Sequence, residues 1–396
     1  MNGGLQAADY DVGMLRLARL IAGIVLGMSG GLCLGQETGR TSGPWVLEQS
    51  GTKAGLRGIH AVGGGVAWAS GTNGTALRTE DGGYEWQSCA MLPGAEKLDF
   101  RGVWAWDDQT AIVMSSGTGD LSRLYKTTDG CSIWKLLLRN HDQAGFWDAM
   151  VFADQPQVPA KARSGWILGD PVKGEFQILH TEDSGAHWFV EHGRAPRATA
   201  ATQGAFAASN SALVLMENAV GIQSFPAFGS GGKDGAFFYR AQTMTVCVDD
   251  CQEVVSTGKS EEWSKALVPV TAGAEGAGVF SVGFRDRQHG VAVGGDYSKP
   301  NEAAGTAAWS ADGGKTWTAA EKPPRGYRSA VAWDAGLKAW IAAGTNGSDI
   351  SWDDGKTWQP LDDGTWNALS LPWVVGPDGR IAKLDASKVA RTAGSR

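Results

Sequence analysis

The sequence has no run of five or more lysines and arginines, and its 35 basic against 42 acidic residues leave a net charge of −7. A phosphate backbone is held by a basic field, so a nucleic-acid partner is not expected. Proline is sparse, at 14 in 396 residues, while 57 glycines and 18 tryptophans describe a turn-rich globular chain, neither disordered nor collagen-like. The six histidines (His60, His141, His180, His187, His192, His289) lack metal-ligand spacing. No G-x-G-x-x-G joins a strand to a helix, and Gly63-Gly64-Gly65 reads as a strand turn. Neither a metal nor a cofactor is therefore expected.

Long hydrophobic runs are missing too. The apolar stretch Leu20 to Met28 is too short to span a bilayer, so no transmembrane anchor is expected. It follows Arg16 and Arg19 and leads to small residues before Gln36, which predicts a cleavable signal peptide over residues 1–35 and a secreted or periplasmic protein. Asp9 and Asp11 are foreign to a basic leader, so Met14 makes a better start than Met1. Cleavage would remove Cys33 and leave four of the five cysteines in an oxidising compartment.

What the sequence does have is a repeat. Segments beginning at Thr79, Thr127, Thr181, Ser310 and Ser351 carry one pattern: Ser or Thr, an Asp two residues on, glycine in the turn, and Trp at the eighth place. This is the Asp box, with Asp81, Asp129, Asp183, Asp312 and Asp353 as its acids. The spacing has a physical logic. The carboxylate accepts backbone N–H bonds inside a tight hairpin, glycine supplies positive φ, and the Trp packs between neighbouring sheets. The motif is a structural staple and carries no chemistry of its own.

The tryptophans set the blade count. Trp86, Trp134 and Trp188 follow one another at 48 and 54 residues, and Trp317 and Trp358 at 41. The long gap between Trp188 and Trp317 is divided by Trp263, marking a repeat that has lost its box. Trp45 looks like the end of a blade whose other strands are missing, and Trp366 to Leu384 supplies three strands without a fourth. Joined, these halves predict an all-β, seven-bladed propeller over residues 44–384, closed by the N-terminal strand and followed by a flexible tail, residues 385–396.

These repeats resemble the Asp-box (BNR) propellers of the sialidase superfamily, and more closely the propellers similar to the photosystem II stability and assembly factor. The blocks Gly169 to Val172, Ala205 to Ser209, Phe284 to Tyr297 and Pro324 to Val331 look like a bacterial exported branch of that group. The resemblance implies a fold and leaves activity open.

In propellers the loops entering the innermost strand and those after the second strand open at one mouth of the central channel. On that scheme Arg57, Arg101 and Arg328 occupy equivalent positions, Trp147 and Asn367 match them in two further blades, and Asp170, Asp296 and Tyr297 come from second-strand loops. Such a ring suits capture of a carboxylate or other anion by forked arginine donors. The bland alternative is that each arginine pairs with an acid such as Asp170 or Asp296 to fill the mouth. The expected role is a non-catalytic, monomeric scaffold for a protein or peptide partner, assisting assembly or stability of an exported or membrane complex. A small anionic or carbohydrate ligand is a further candidate.

A sialidase-like glycoside hydrolase is the enzyme alternative, since those enzymes use three arginines, a Tyr/Glu pair and an Asp. The sequence departs from that pattern: no Arg-Ile-Pro element is present, the blades number seven where sialidases have six, and Glu175 is the only acid to nominate beside Tyr297. Of the cysteines, Cys247 and Cys251 are spaced for a local disulfide at a turn. Cys89 and Cys131, in adjacent blades, leave a second bridge open.

Overall fold

A computed structural model describes residues 43–90, 94–153, 162–191, 193–217, 224–242, 246–248, 253–255 and 263–389. The predicted signal peptide, both candidate start residues and Cys251 lie outside the described residues, and with them the expected Cys247–Cys251 bridge. Seven four-stranded antiparallel sheets follow one another around a ring. Their first strands are Leu56–Gly63, Phe100–Ala105, Trp147–Phe152, Leu213–Glu217, Ala277–Phe284, Ala330–Asp334 and Ala368–Ser370, for blades 1 to 7.

The second strands are rich in small residues because they are covered on both faces. Ala111–Ser115, Gly290–Asp296 and Ala339–Gly344 are buried along their whole length, so they read as continuous runs with no alternation. Seven hydrophobic clusters hold the ring together, and each draws its side chains from two neighbouring blades. Closure is by the N-terminal strand. Trp45–Glu48 pairs with Ile381–Leu384, from Trp45 opposite Leu384 to Glu48 opposite Ile381, and Trp45 Nε1 donates to Ser348 Oγ of blade 6 at 2.9 Å.

The five Asp-box turns share one geometry. In blade 1 the Asp81 carboxylate accepts from Thr79 Oγ1 at 2.9 Å and Glu85 N at 3.1 Å, while Gly83 N donates to Thr79 Oγ1 at 3.1 Å. Asp129, Asp183, Asp312 and Asp353 repeat it. Cys131 replaces the second turn glycine in blade 2, at φ 68, and is disulfide-bonded to Cys89 of blade 1.

Blade 4 has no box. Its third strand, Phe237–Ala241, and fourth, Trp263–Leu267, pair directly, and a small hairpin of Val246–Val248 with Glu253–Val255 lies between them in sequence. Beyond Leu384 the described chain adds a 3-10 turn over Ala386–Lys388 capped by Asp385. Among the described residues no helix is long and apolar enough to cross a membrane.

Candidate functional site: the arginine mouth of the channel

The inner strands do not run straight into the channel. In blades 1, 2, 3 and 5 the pairing slips near the start of the inner strand, giving bulges at Arg57, Arg101, Asp148 and Phe280. A bulge lets two residues oppose one and re-aims the extra side chain. The residue before each bulge, Leu56, Phe100, Trp147 or Val279, is buried between blades. Blades 6 and 7 keep the scheme without a formal bulge: Arg328 N donates to Gly294 O of the preceding blade as Leu56 N does to Gly376 O, each at 3.0 Å. Arg328 therefore takes the buried place, and Ser329 and Asn367 take the place of Arg57.

Two of the expected ring members are corrected by this one-residue offset. Trp147 is 1 % exposed in the core between blades 2 and 3, and its neighbour Asp148 is the bulge residue. Arg328 is wholly buried and paired with Asp349: Nε donates at 2.8 Å and Nη2 makes a second, very short contact to the same oxygen. Its Nη1 donates to Tyr327 O at 2.7 Å and Asn346 Oδ1 at 2.5 Å. Four of its five N–H groups are used within the protein, and the wholly buried side chain is not presented to a ligand. Asp296 is also turned to local use, since its Oδ1 accepts from Ser298 N at 2.9 Å and Ser298 Oγ at 2.6 Å.

A segment that the repeat pattern does not explain crosses the centre of the ring. Arg101 Nη1 donates to Ala207 O at 3.0 Å, Ser209 Oγ to Ser329 O at 2.6 Å, Met150 N to Asn210 Oδ1 at 2.8 Å, and Val282 N to Ser211 O at 3.0 Å. Residues 205–211 thus bridge blades 2, 3, 5 and 6 and plug the channel. Gly102 permits the approach, because a Cβ there would stand 2.8 Å from Asn210 Oδ1.

Above the plug lies a pocket of about 430 Å³. Arg57, Arg101 and Asn367 form one side, and Phe206, Phe280, Tyr297 and Tyr327 the other. Phe206 stacks on Phe280 at 3.8 Å between centroids, and Tyr327 meets Phe280 edge-on at 4.7 Å. Tyr297 is 60 % exposed at the rim. Asp99 lies between the arginines: Arg101 Nε donates to its Oδ2 at 2.9 Å, and Arg57 Nε stands 3.1 Å from its Oδ1 without hydrogen-bonding geometry. Two guanidiniums thus share one carboxylate, leaving a net positive mouth. No acid is among the described residues lining it.

Behind Arg101 stand two carboxyls, Asp148 buried and Asp170 half-buried. Asp148 is 1 % exposed, and its Oδ2 has no hydrogen-bond partner. Asp170, on the adjoining strand, accepts from Ala205 N at 3.0 Å and so anchors the start of the plug. Burial pushes the Asp170 carboxyl up to about 6. Burial, with the neighbouring Asp170 charge adding and Arg101 opposing, raises Asp148 well above the carboxylate range. Burial raises the Tyr327 phenol, with Arg101 opposing.

Solved structures share this architecture. YCF48 bound to a D1 peptide is 17 % identical over 86 % of this chain and 96 % of its own, with a TM-score of 0.55. YCF48 from Cyanidioschyzon merolae is 17 % identical over 87 % and 99 %, also at 0.55. The fold is that of YCF48. The likeness to photosystem II assembly-factor propellers is met at that level, whereas no protein-family model and no curated protein sequence matches the chain.

Sequence reasoning reached Arg57, Arg101, Asn367 and Tyr297 and missed Asp99, Asp148, Phe206, Phe280, Tyr327 and Asp349. Asp148 was within reach, since Trp147-Asp148-Ala149 aligns with Phe100-Arg101-Gly102. Glu175, nominated as an acid beside Tyr297, makes a backbone β-bridge with Arg197 and is not among the described residues lining the pocket.

Proposed function

We propose that this protein is an exported, non-catalytic scaffold that holds a peptide segment of a protein partner at the arginine mouth and thereby assists assembly or stability of an exported or membrane complex. The observation that carries the reading is the sharing of Asp99 by Arg57 and Arg101 beside an aromatic wall. The unbalanced cation suits a carboxylate from a peptide terminus or acidic side chain, and the wall suits the apolar side chain next to it. That YCF48, of the same fold, has been solved with a D1 peptide supports a peptide as the occupant. A sialidase-like hydrolase needs a Glu paired with its Tyr and an Asp acid at the same mouth. The described lining of the mouth offers it neither acid.

The test is binding of peptides with a free C-terminal carboxylate, against the same peptides amidated, to wild type and to the Arg57→Ala/Arg101→Ala variant. Loss of a charged donor pair is expected to cost about 2 kcal/mol or more, roughly thirtyfold in affinity, with the thermal midpoint held. Equal binding by the variant overturns the reading.

A further inference from the structure

We infer that the Asp148–Asp170 pair is a proton-binding site that controls the anion affinity of the mouth through Arg101 and the plug. This rests on the reading of the mouth as an anion-binding surface. The geometry is particular. Asp148 is the bulge residue of blade 3, standing beside the bulge residue Arg101 of blade 2 in the channel ring. Asp170 lies diagonally across the strand pair from it, since Trp147 opposes Gly169 and Asp170 N donates to Phe146 O at 2.9 Å. Both acids bear on the mouth: Asp148 through space, by its charge acting on Arg101 of the neighbouring bulge, and Asp170 by its bond to Ala205 N, next to the Phe206 of the aromatic wall.

Burial disfavours the charge of each acid, and at Asp148 the neighbouring Asp170 charge adds to it, so the pair retains a proton where exposed acids have lost theirs. The groups facing it are few. Arg101 is the cation, Asp99 and Arg57 stand behind Arg101, and Tyr327 faces Arg101 from blade 6. The plug, residues 205–211, carries no charged side chain. With a proton on the pair, Arg101 divides its charge between Asp99 and the open mouth. When both acids ionise, Asp148 draws on the same guanidinium, and negative potential beneath the pocket opposes an incoming anion. Anion binding and proton binding therefore favour each other, and linkage requires a proton to be taken up when the anion binds.

The experiment measures affinity for a hexapeptide with a free C-terminal carboxylate from pH 5 to 8, by calorimetry in buffers of different ionisation enthalpy. Wild type is expected to weaken about tenfold or more across that range and to take up protons on binding near pH 6.5. Asp148→Asn, which mimics the protonated acid, should hold its low-pH affinity throughout. A wild-type slope retained in Asp148→Asn overturns the inference. A ligand-free measurement separates this from failure of the peptide reading: carboxyl-carbon resonances of Asp148 and Asp170 and the Arg101 Nε resonance, followed against pH in wild type. A shared midpoint sustains the inference even if the hexapeptide does not bind, and an Arg101 resonance indifferent to that titration overturns it.

Discussion

Cys131 holds, at φ 68, the turn position that glycine fills in the four sister Asp boxes, and its sulfur is bonded to Cys89 of the preceding blade. A side chain in the left-handed region is disfavoured relative to glycine by about 1 kcal/mol. The cross-link offsets this by tying the outer edge of blade 1 to the box of blade 2, across 42 residues of chain. Reduction, or the Cys89→Ser/Cys131→Ala variant, is expected to lower unfolding free energy by about 2 to 4 kcal/mol. Cys89→Ser/Cys131→Gly should recover about 1 kcal/mol of that, because glycine suits the turn. Denaturant unfolding of the three proteins checks both steps.

The buried Arg328–Asp349 pair is expected to be structural. Asp349→Ala would strand a guanidinium at a place where other blades keep Leu56 or Phe100, and should cost about 3 to 5 kcal/mol. Replacing both partners with apolar residues should cost much less. Peptide binding by any variant that folds should be near wild type, which separates Arg328 from Arg57 and Arg101.

Removing residues 44–50 takes away the strand that pairs with Ile381–Leu384 and the Trp45 side chain buried between blades 6 and 7. An open sheet edge and an uncovered core seam should remain. A fall of many degrees in thermal midpoint, with aggregation on light scattering, is expected. An unchanged midpoint would mean that the ring does not depend on this closure.

Asp170 should make stability fall as pH rises. Its folded value of about 6 lies above its ordinary 3.8, so the folded state holds the proton more tightly. The stability this lends is complete below about pH 4 and is lost as pH rises through 6, up to roughly 2 to 3 kcal/mol. Asp170→Asn keeps an acceptor for Ala205 N without the charge, so it should be more stable than wild type at pH 7.5 and draw level with it at about pH 3.5. Urea unfolding at the two values checks the crossover.

The number of blades, the place of each Asp box and the closing role of Trp45 were legible in the sequence alone, because each depends on local chemistry repeated at a fixed spacing. A tight turn needs its Asp and glycine wherever the chain later goes. The facing of the inner strands was decided by tertiary structure. Side chains alternate along a strand, and one bulged residue moves the next side chain to the other face. That offset buries Trp147, gives its place in the channel to Asp148, and sends Arg328 to Asp349 while Arg57 and Arg101 stay at the mouth. The plug was hidden for a related reason. Residues 205–211 have no periodicity to read, and their partners stand in blades 2, 3, 5 and 6, brought within reach only when the ring closes.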